Sequence, residues 1–205
     1  VGTPTLEREA ALWRNGFQLV AGIDEVGRGP IAGPVVAAVV VFLPGQVPLD
    51  GLLDSKVMTA RERERLAGEI RRAARAFALG SASVREIDRL NIRRATAVAM
   101  RRALARLPLE PEYLLVDGDP FPELERAHEA IVGGDAVCQS VAAAAVLAKV
   151  ARDRLMTRLA PRYPAFGWEH NMGYATRYHL TTLAAAGPTP HHRRSFAPVA
   201  QPGLF

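Results

Sequence analysis

Cysteine is nearly missing from this chain, with Cys138 the only one in 205 residues. No internal disulfide and no thiolate metal cluster can be built from it, which fits a reducing setting. Lysine is almost as scarce: Lys56 and Lys149 are the only lysines among 26 basic residues, and the rest are arginine. Aromatic residues make up 6%, so an aliphatic core is expected. Long apolar runs are missing too. The longest, 35–43, is far short of the ~20 residues that a membrane-spanning helix needs. The first residues carry Glu7 and Glu9 and no apolar stretch of the kind that marks a secretory signal. The expectation is a cytoplasmic protein without membrane contact.

What is present suits one large domain. The chain is 49% hydrophobic and 23% charged, with a net charge of +5. Its length is enough to bury a substantial core. Arginine offers a planar fork of donors suited to phosphate, so the excess is compatible with a polyanionic partner, although biased codon usage produces the same excess. The charge is segregated, with a basic segment at 61–106 and an acidic one at 110–135.

Residues 4–17 read as a surface helix. Residues 19–24 (LVAGID) read as a strand running into a glycine-rich turn. Residues 35–43, apolar and β-branched, read as a strand covered on both faces. Thr59 with Glu62, and Ser83 with Glu86, have capping-box spacing and open helices over 60–75 and 84–106. Strands are expected at 76–82, 113–117 and 130–133. A long helix over 139–160, with small residues at 141–148 for close helix–sheet packing, is stopped by Pro161 and Pro164. A shorter one over 176–186 ends at Gly187-Pro188. Alternating strands and helices with a helical last third imply an α/β layer and a helical C-terminal extension.

The placement of the few aspartates is informative. Asp24 and Glu25 stand where a strand meets the glycine-rich turn, Asp117 ends the strand YLLVD, and Asp135 follows Gly133-Gly134. Each alone is compatible with turn or cap chemistry. Together, carboxylates at strand ends repel one another unless a cation neutralises them. Hard oxygen donors suit Mg²⁺ or Mn²⁺, and two such ions drive phosphodiester hydrolysis. Adjacent strand residues point to opposite faces, so Glu25 is expected beyond the pleat, re-aimed by the turn. The turn Gly27-Arg28-Gly29 can expose backbone N–H groups to an anion or a sugar hydroxyl.

The stretch GIDEVGRGPIAGPVVAAVVVF closely resembles the type 2 ribonuclease H family (ribonuclease HII) in its bacterial form. LLDSK at 52–56, REIDRLNIRRATAVAM at 85–100, LLVDGD at 114–119, SVAAAAVLAKVARDRLM at 140–156, GYATRYH at 173–179 and HRRSF at 192–196 follow in the family's order. The resemblance covers about 18–199. It implies a ribonuclease H-like mixed sheet flanked by helices, with a catalytic domain over 1–160 and a helical extension and tail over 161–205 packed on it. It implies an endonuclease that cuts the RNA strand of RNA–DNA hybrids and cuts 5′ of single ribonucleotides embedded in duplex DNA. Asp24, Glu25, Asp117 and Asp135 match the family's catalytic metal ligands, for two Mg²⁺ or Mn²⁺ ions. The backbone of Gly27, Arg28 and Gly29 is expected to read the ribose 2′-hydroxyl, Tyr174 to pack on the sugar, and Lys56 to meet a phosphate or to be a plain surface lysine.

Three positions depart from the pattern: Gly133 and Met172 stand where the family has lysine, and Ala145 where it has serine. Arg177, Arg193 and Arg194 are candidates to compensate. Lys149 with Asp153 reads as a structural pair, and His179, His192, Trp13 and Trp168 as packing residues. The tail QPGLF resembles, through Gln201, Leu204 and Phe205, short peptides that dock on bacterial sliding clamps. A junction resolvase of the same fold also uses strand-end carboxylates but needs no ribose reader, and a silent nucleic-acid binder gains nothing from acidic groups beside phosphate.

Overall fold

The computed structural model describes residues 2–201. Helix α1 (Glu7–Arg14) precedes β1 (Val20–Val26), and the chain turns back through 27–34 into β2 (Val35–Phe42). Then come α2 (Ala60–Ala73), β3 (Ala76–Ala82), α3 (Val84–Leu90), α4 (Ile92–Leu104) and β4 (Tyr113–Asp117). After β5 (Glu129–Ile131) and one helical turn, α5 (Gly134–Val137), the long α6 (Gln139–Leu159) crosses the sheet. The C-terminal part holds α7 (Trp168–Asn171), α8 (Arg177–Ala186) and α9 (Ala197–Ala200). The sheet has five strands in the order β3-β2-β1-β4-β5. β1 pairs antiparallel with β2, and β2 with β3, whereas β1–β4 and β4–β5 are parallel.

β2 is buried along its whole length, as its unbroken apolar sequence requires. Val35, Ala37, Val39 and Val41 pack towards α3 and α4, while Val36, Ala38, Val40 and Phe42 pack towards α2 and α6. The small residues of α6 let it sit directly on the strands. A Cβ on Gly22 of β1 would lie 2.2 Å from the backbone of Ser140, so the approach is closer than any side chain allows.

Both capping boxes form, with Thr59 and Ser83 accepting from the amides of Glu62 and Glu86. Each such cap is worth about 1 kcal/mol. The helix expected over 84–106 is instead two helices. Asn91 sits at φ 69° and its side chain accepts from the Arg94 amide, so the break supplies its own cap. Asparagine tolerates this left-handed backbone better than most residues. β3 and β4 have the expected bounds, the other strands differ by one or two residues at an end, and the long helix ends at Leu159 before the two prolines.

The C-terminal helices pack on the turn after β1. Phe166, Trp168, Leu183 and Val199 form one buried cluster with Ile31, Ala32 and Met156, and Ala32 makes a strand-like bridge with His192. Among the described residues no helix is long and apolar enough to cross a membrane. Leu204 and Phe205 of the clamp-like tail lie outside the described residues.

Candidate active site

The site grows from the parallel pairing of β1 with β4. The last register partners are Ile23 and Val116, so Asp24 and Asp117 are the next residues on neighbouring strands, pointing to the same face. That face is the one α6 covers. Asp135 arrives from α5, whose entry through Gly133 (φ 69°) presents the Gly134 amide to Asp117 Oδ1 at 2.6 Å. One oxygen from each of Asp24, Asp117 and Asp135 lies within 4.8 Å of the other two. Three chain segments therefore place like charges together at the carboxyl ends of the central strands β1 and β4.

This grouping is electrostatically unfavourable as it stands. Burial, then the charges of Glu25 and Asp117, push the Asp24 carboxyl well above its usual range. Burial and Asp135 push Asp117 up as well. Lys56 is the nearest cation, with Nζ 3.2 Å from Asp135 Oδ2. Partial burial opposes its charge, but Asp135, Asp54 and Asp24 outweigh that and hold it above its usual value. One lysine does not balance three carboxylates, and a cluster of hard oxygen donors is the donor set that Mg²⁺ or Mn²⁺ requires. The residues fit a divalent cation.

Glu25 corrects one expectation. It does not lie beyond the pleat: it pairs with Ala37 in the regular β1–β2 ladder. Its side chain therefore starts from the face opposite Asp24 and is not within the three-carboxylate group. Glu25 nevertheless lines the same cavity, where Oε1 accepts from Arg28 Nη1 at 3.0 Å. Burial pushes its pKa above the usual carboxylate value and Arg28 opposes the shift.

The cavity has a volume of about 520 Å³. Besides Asp24, Glu25 and Asp117, its walls include the 27–29 turn, Lys56 and Tyr174, all marked by the sequence pattern. Arg63 and Lys149 also line it. Lys149 makes the expected pair with Asp153 at 2.8 Å, and Arg63 approaches the same carboxylate at 3.6 Å. Sequence reasoning passed over Arg63, because one arginine in a basic helix carries no distinguishing signal.

Of the three departures, Gly133 shapes the entry to α5, and Ala145 is buried within α6 away from the cavity. Met172 stands at φ 49° just before the Gly173-Tyr174 turn. Arg193 is not available to compensate for a lost lysine. It is fully buried and spends its donors on main-chain carbonyls. Arg177 and Arg194 remain exposed. His179 and His192 are packing residues as expected, and Trp168 also donates its indole N–H to His179 at 3.2 Å.

Residues 21–199 match the sequence model of the ribonuclease HII family. The chain belongs to that family. A ribonuclease HII of Cereibacter sphaeroides is 53% identical over 197 residues, covering 96% of this chain and 92% of the relative. Among solved structures, the ribonuclease H2 of Pyrococcus horikoshii OT3 superposes with a TM-score of 0.74 at 27% identity, covering 89% of this chain and 95% of that one. The ribonuclease HII of Archaeoglobus fulgidus, solved as a complex with PCNA, gives 0.71 at 26%, covering 90% and 98%. As a ribonuclease HII, the chain is a metal-dependent hydrolase with ribonuclease H endonuclease activity on the RNA of hybrids, and its mixed sheet flanked by helices is the ribonuclease H-like fold.

Proposed function

We propose that this ribonuclease HII cuts on the 5′ side of single ribonucleotides embedded in duplex DNA as well as the RNA strand of hybrids, and that it does so in the cytoplasm during replication and repair. One observation carries the reading: Asp24, Glu25 and Asp117 share one cavity with the 27–29 turn and Tyr174. A Cβ on Gly29 would rest in ordinary contact with Tyr174 Cε1, at 3.8 Å, so the backbone of the turn and the phenol ring stand side by side on one wall of the cavity, where a sugar would touch both. The 2′-hydroxyl is the group that separates RNA from DNA at one nucleotide.

Asp24, Asp117 and Asp135 would hold two divalent ions, Mg²⁺ or Mn²⁺, with Glu25 joining them by releasing Arg28. Bound there, such ions supply an activated water and stabilise the leaving 3′ oxygen. The chain's own work is placement. Backbone N–H groups of the 27–29 turn meet the 2′-hydroxyl, Tyr174 packs on the sugar, and Lys56 meets a substrate phosphate while offsetting Asp135. The tail over 201–205 would tether the enzyme to a sliding clamp, a reading supported by the clamp complex of the A. fulgidus relative.

The test is a DNA duplex with one ribonucleotide, incubated with Mg²⁺ or Mn²⁺. A single cut 5′ of the ribonucleotide, absent with Asp117→Asn, is the expected result. Cutting of all-DNA branched duplexes with no preference for the ribonucleotide would sink the proposal.

A further inference from the structure

Two arginines with no part in the chemistry above lie beneath the 27–34 turn. Arg152 on α6 and Arg193, between α8 and α9, are both 0% exposed. Arginine is seldom buried without a carboxylate, because its charge and five N–H groups lose their water. Here the hydrogen-bond partners are main-chain carbonyls. Arg193 donates from Nε to Gly33 at 2.9 Å, from Nη1 to Arg28 at 2.9 Å and from Nη2 to Gly27 at 2.5 Å. Arg152 donates from Nε to Pro34 at 3.0 Å, from Nη2 to Ala32 at 2.9 Å and from Nη1 to Met172 at 2.9 Å. The two guanidiniums thus gather the turn and tie it to the loop that carries Tyr174. The amides of Ile31 and Ala32, donating to the Gly173 carbonyl at 2.9 and 3.3 Å, make a second tie.

The direction of these carbonyls decides the direction of the amides. In a planar trans peptide, the C=O of one residue and the N–H of the next point opposite ways. With the Gly27 and Arg28 carbonyls drawn inward to Arg193, the N–H groups of Arg28 and Gly29 are aimed outward. Both residues are exposed and line the cavity, and neither amide finds an acceptor among the described residues. The two glycines divide the labour. A Cβ on Gly27 (φ 99°) would lie 2.2 Å from Arg152 Nε, so that glycine serves the arginine. Gly29 meets no such obstacle.

We propose that Arg152 and Arg193 are positioning residues for ribose recognition, holding the Arg28 and Gly29 amides at fixed places opposite Tyr174 to receive a 2′-hydroxyl. This rests on the reading of the cavity as a ribonucleotide site. Arg193 is itself fixed from outside. Asp88 accepts from the amides of Arg194 and Ser195 at 3.1 and 2.9 Å and from the Ser195 hydroxyl at 2.7 Å. The Phe196 ring lies 5.0 Å from the Arg193 guanidinium carbon. Lysine, a point charge without the fork, cannot span three carbonyls in this way.

The experiment uses Arg193→Lys and Arg152→Lys, with folding checked by circular dichroism. kcat and KM are measured on a duplex with one ribonucleotide, and an all-DNA duplex of the same sequence serves as competitive inhibitor. The expected result is a tenfold or larger rise in KM for the ribonucleotide duplex, with the inhibition constant of the all-DNA duplex changed less than twofold. A purely structural role would lower the active fraction and hence kcat alone, and that result overturns the proposal. Equal weakening of both duplexes also overturns it. If both variants fail to fold, hydrogen exchange on the unmodified protein decides, with EDTA present to keep the duplex intact. The Arg28 and Gly29 amides should gain protection with the ribonucleotide duplex and not with the all-DNA one; equal protection or none overturns the proposal. Failure of the unmodified enzyme to cut at a single ribonucleotide would instead overturn the functional reading, and with it the ligand assigned to these amides.

Discussion

Nε2 of His179 and Nε2 of His192 lie 3.0 Å apart inside the C-terminal layer, and their other contacts leave one arrangement of protons. His179 Nδ1 must donate to the Tyr174 carbonyl at 2.8 Å, so its Nε2 accepts, from both Trp168 and His192. His192 Nδ1 in turn accepts from the amide and hydroxyl of Thr189. Both rings are neutral, and an added proton on either would face a donor. The pair therefore fixes the loop that presents Tyr174 and makes that fixation sensitive to acid.

Burial, with His179 and His191 nearby, pushes His192 down to about 4 from an ordinary 6.5, and burial lowers His179 too. Between those values the unfolded chain takes up protons that the folded chain refuses, so stability is full above pH 6.5 and falls as pH drops towards 4. By pH 5 the loss from His192 is about 2 kcal/mol. Thermal melts from pH 7.5 to 5 should show the decline, and His192→Gln should flatten it. An unchanged slope in that variant would refute the assignment.

Gly27→Ala and Gly29→Ala should behave oppositely. The first places a methyl against Arg152 at a left-handed backbone position and costs about 2–4 kcal/mol of stability. The second leaves the melting temperature nearly unchanged, since its methyl makes only ordinary contact with Tyr174, but raises KM for a ribonucleotide duplex, because the methyl covers backbone that would face the sugar. Denaturant midpoints and steady-state kinetics on the two variants distinguish them.

Asp117→Asn removes a charge from a self-repelling group while leaving an oxygen for the Gly134 amide. Without metal the variant should be more stable, by about 1 kcal/mol. Its activity should fall by about a thousandfold or more. Added Mn²⁺ should raise the melting temperature of the unmodified protein, as binding to the folded state alone requires, and raise that of the variant less. A metal-induced shift equal in both would contradict the role of Asp117 as a ligand.

Lys56 keeps 75% of its side chain exposed while touching Asp135, which leaves it free to meet a phosphate. Lys56→Met should weaken duplex binding whatever the sequence and reduce the salt dependence of the binding constant by about one unit of slope. Binding isotherms at several salt concentrations measure that slope directly.

Deleting residues 201–205 should leave kcat and KM on a free duplex unchanged and abolish co-elution with a bacterial sliding clamp. Retained co-elution would remove the tail from the clamp interface.

Much of the frame was legible from local pattern. The unbroken apolar run at 35–43 announced a strand buried on both faces, the two capping boxes marked helix starts, and carboxylates after apolar strands marked the candidate site, where Asp24, Asp117 and Asp135 come together. The Asn91 break was missed because helix periodicity continues across it, and only the backbone turn separates the two helices. The position of Glu25 was misjudged because the ladder with β2 runs two residues further than the apolar pattern suggested.

The chain by itself determined most of the elements, the candidate carboxylates and the family, since each depends on residue type and spacing. Tertiary structure decided the fate of the arginines. Arg193 and Arg194 are neighbours in sequence, yet one is fully buried beneath the 27–34 turn and the other lies on the surface. A guanidinium can be buried only where enough acceptors converge on it. Those acceptors are carbonyls supplied by a turn more than 150 residues away in the chain, a convergence that no local pattern records.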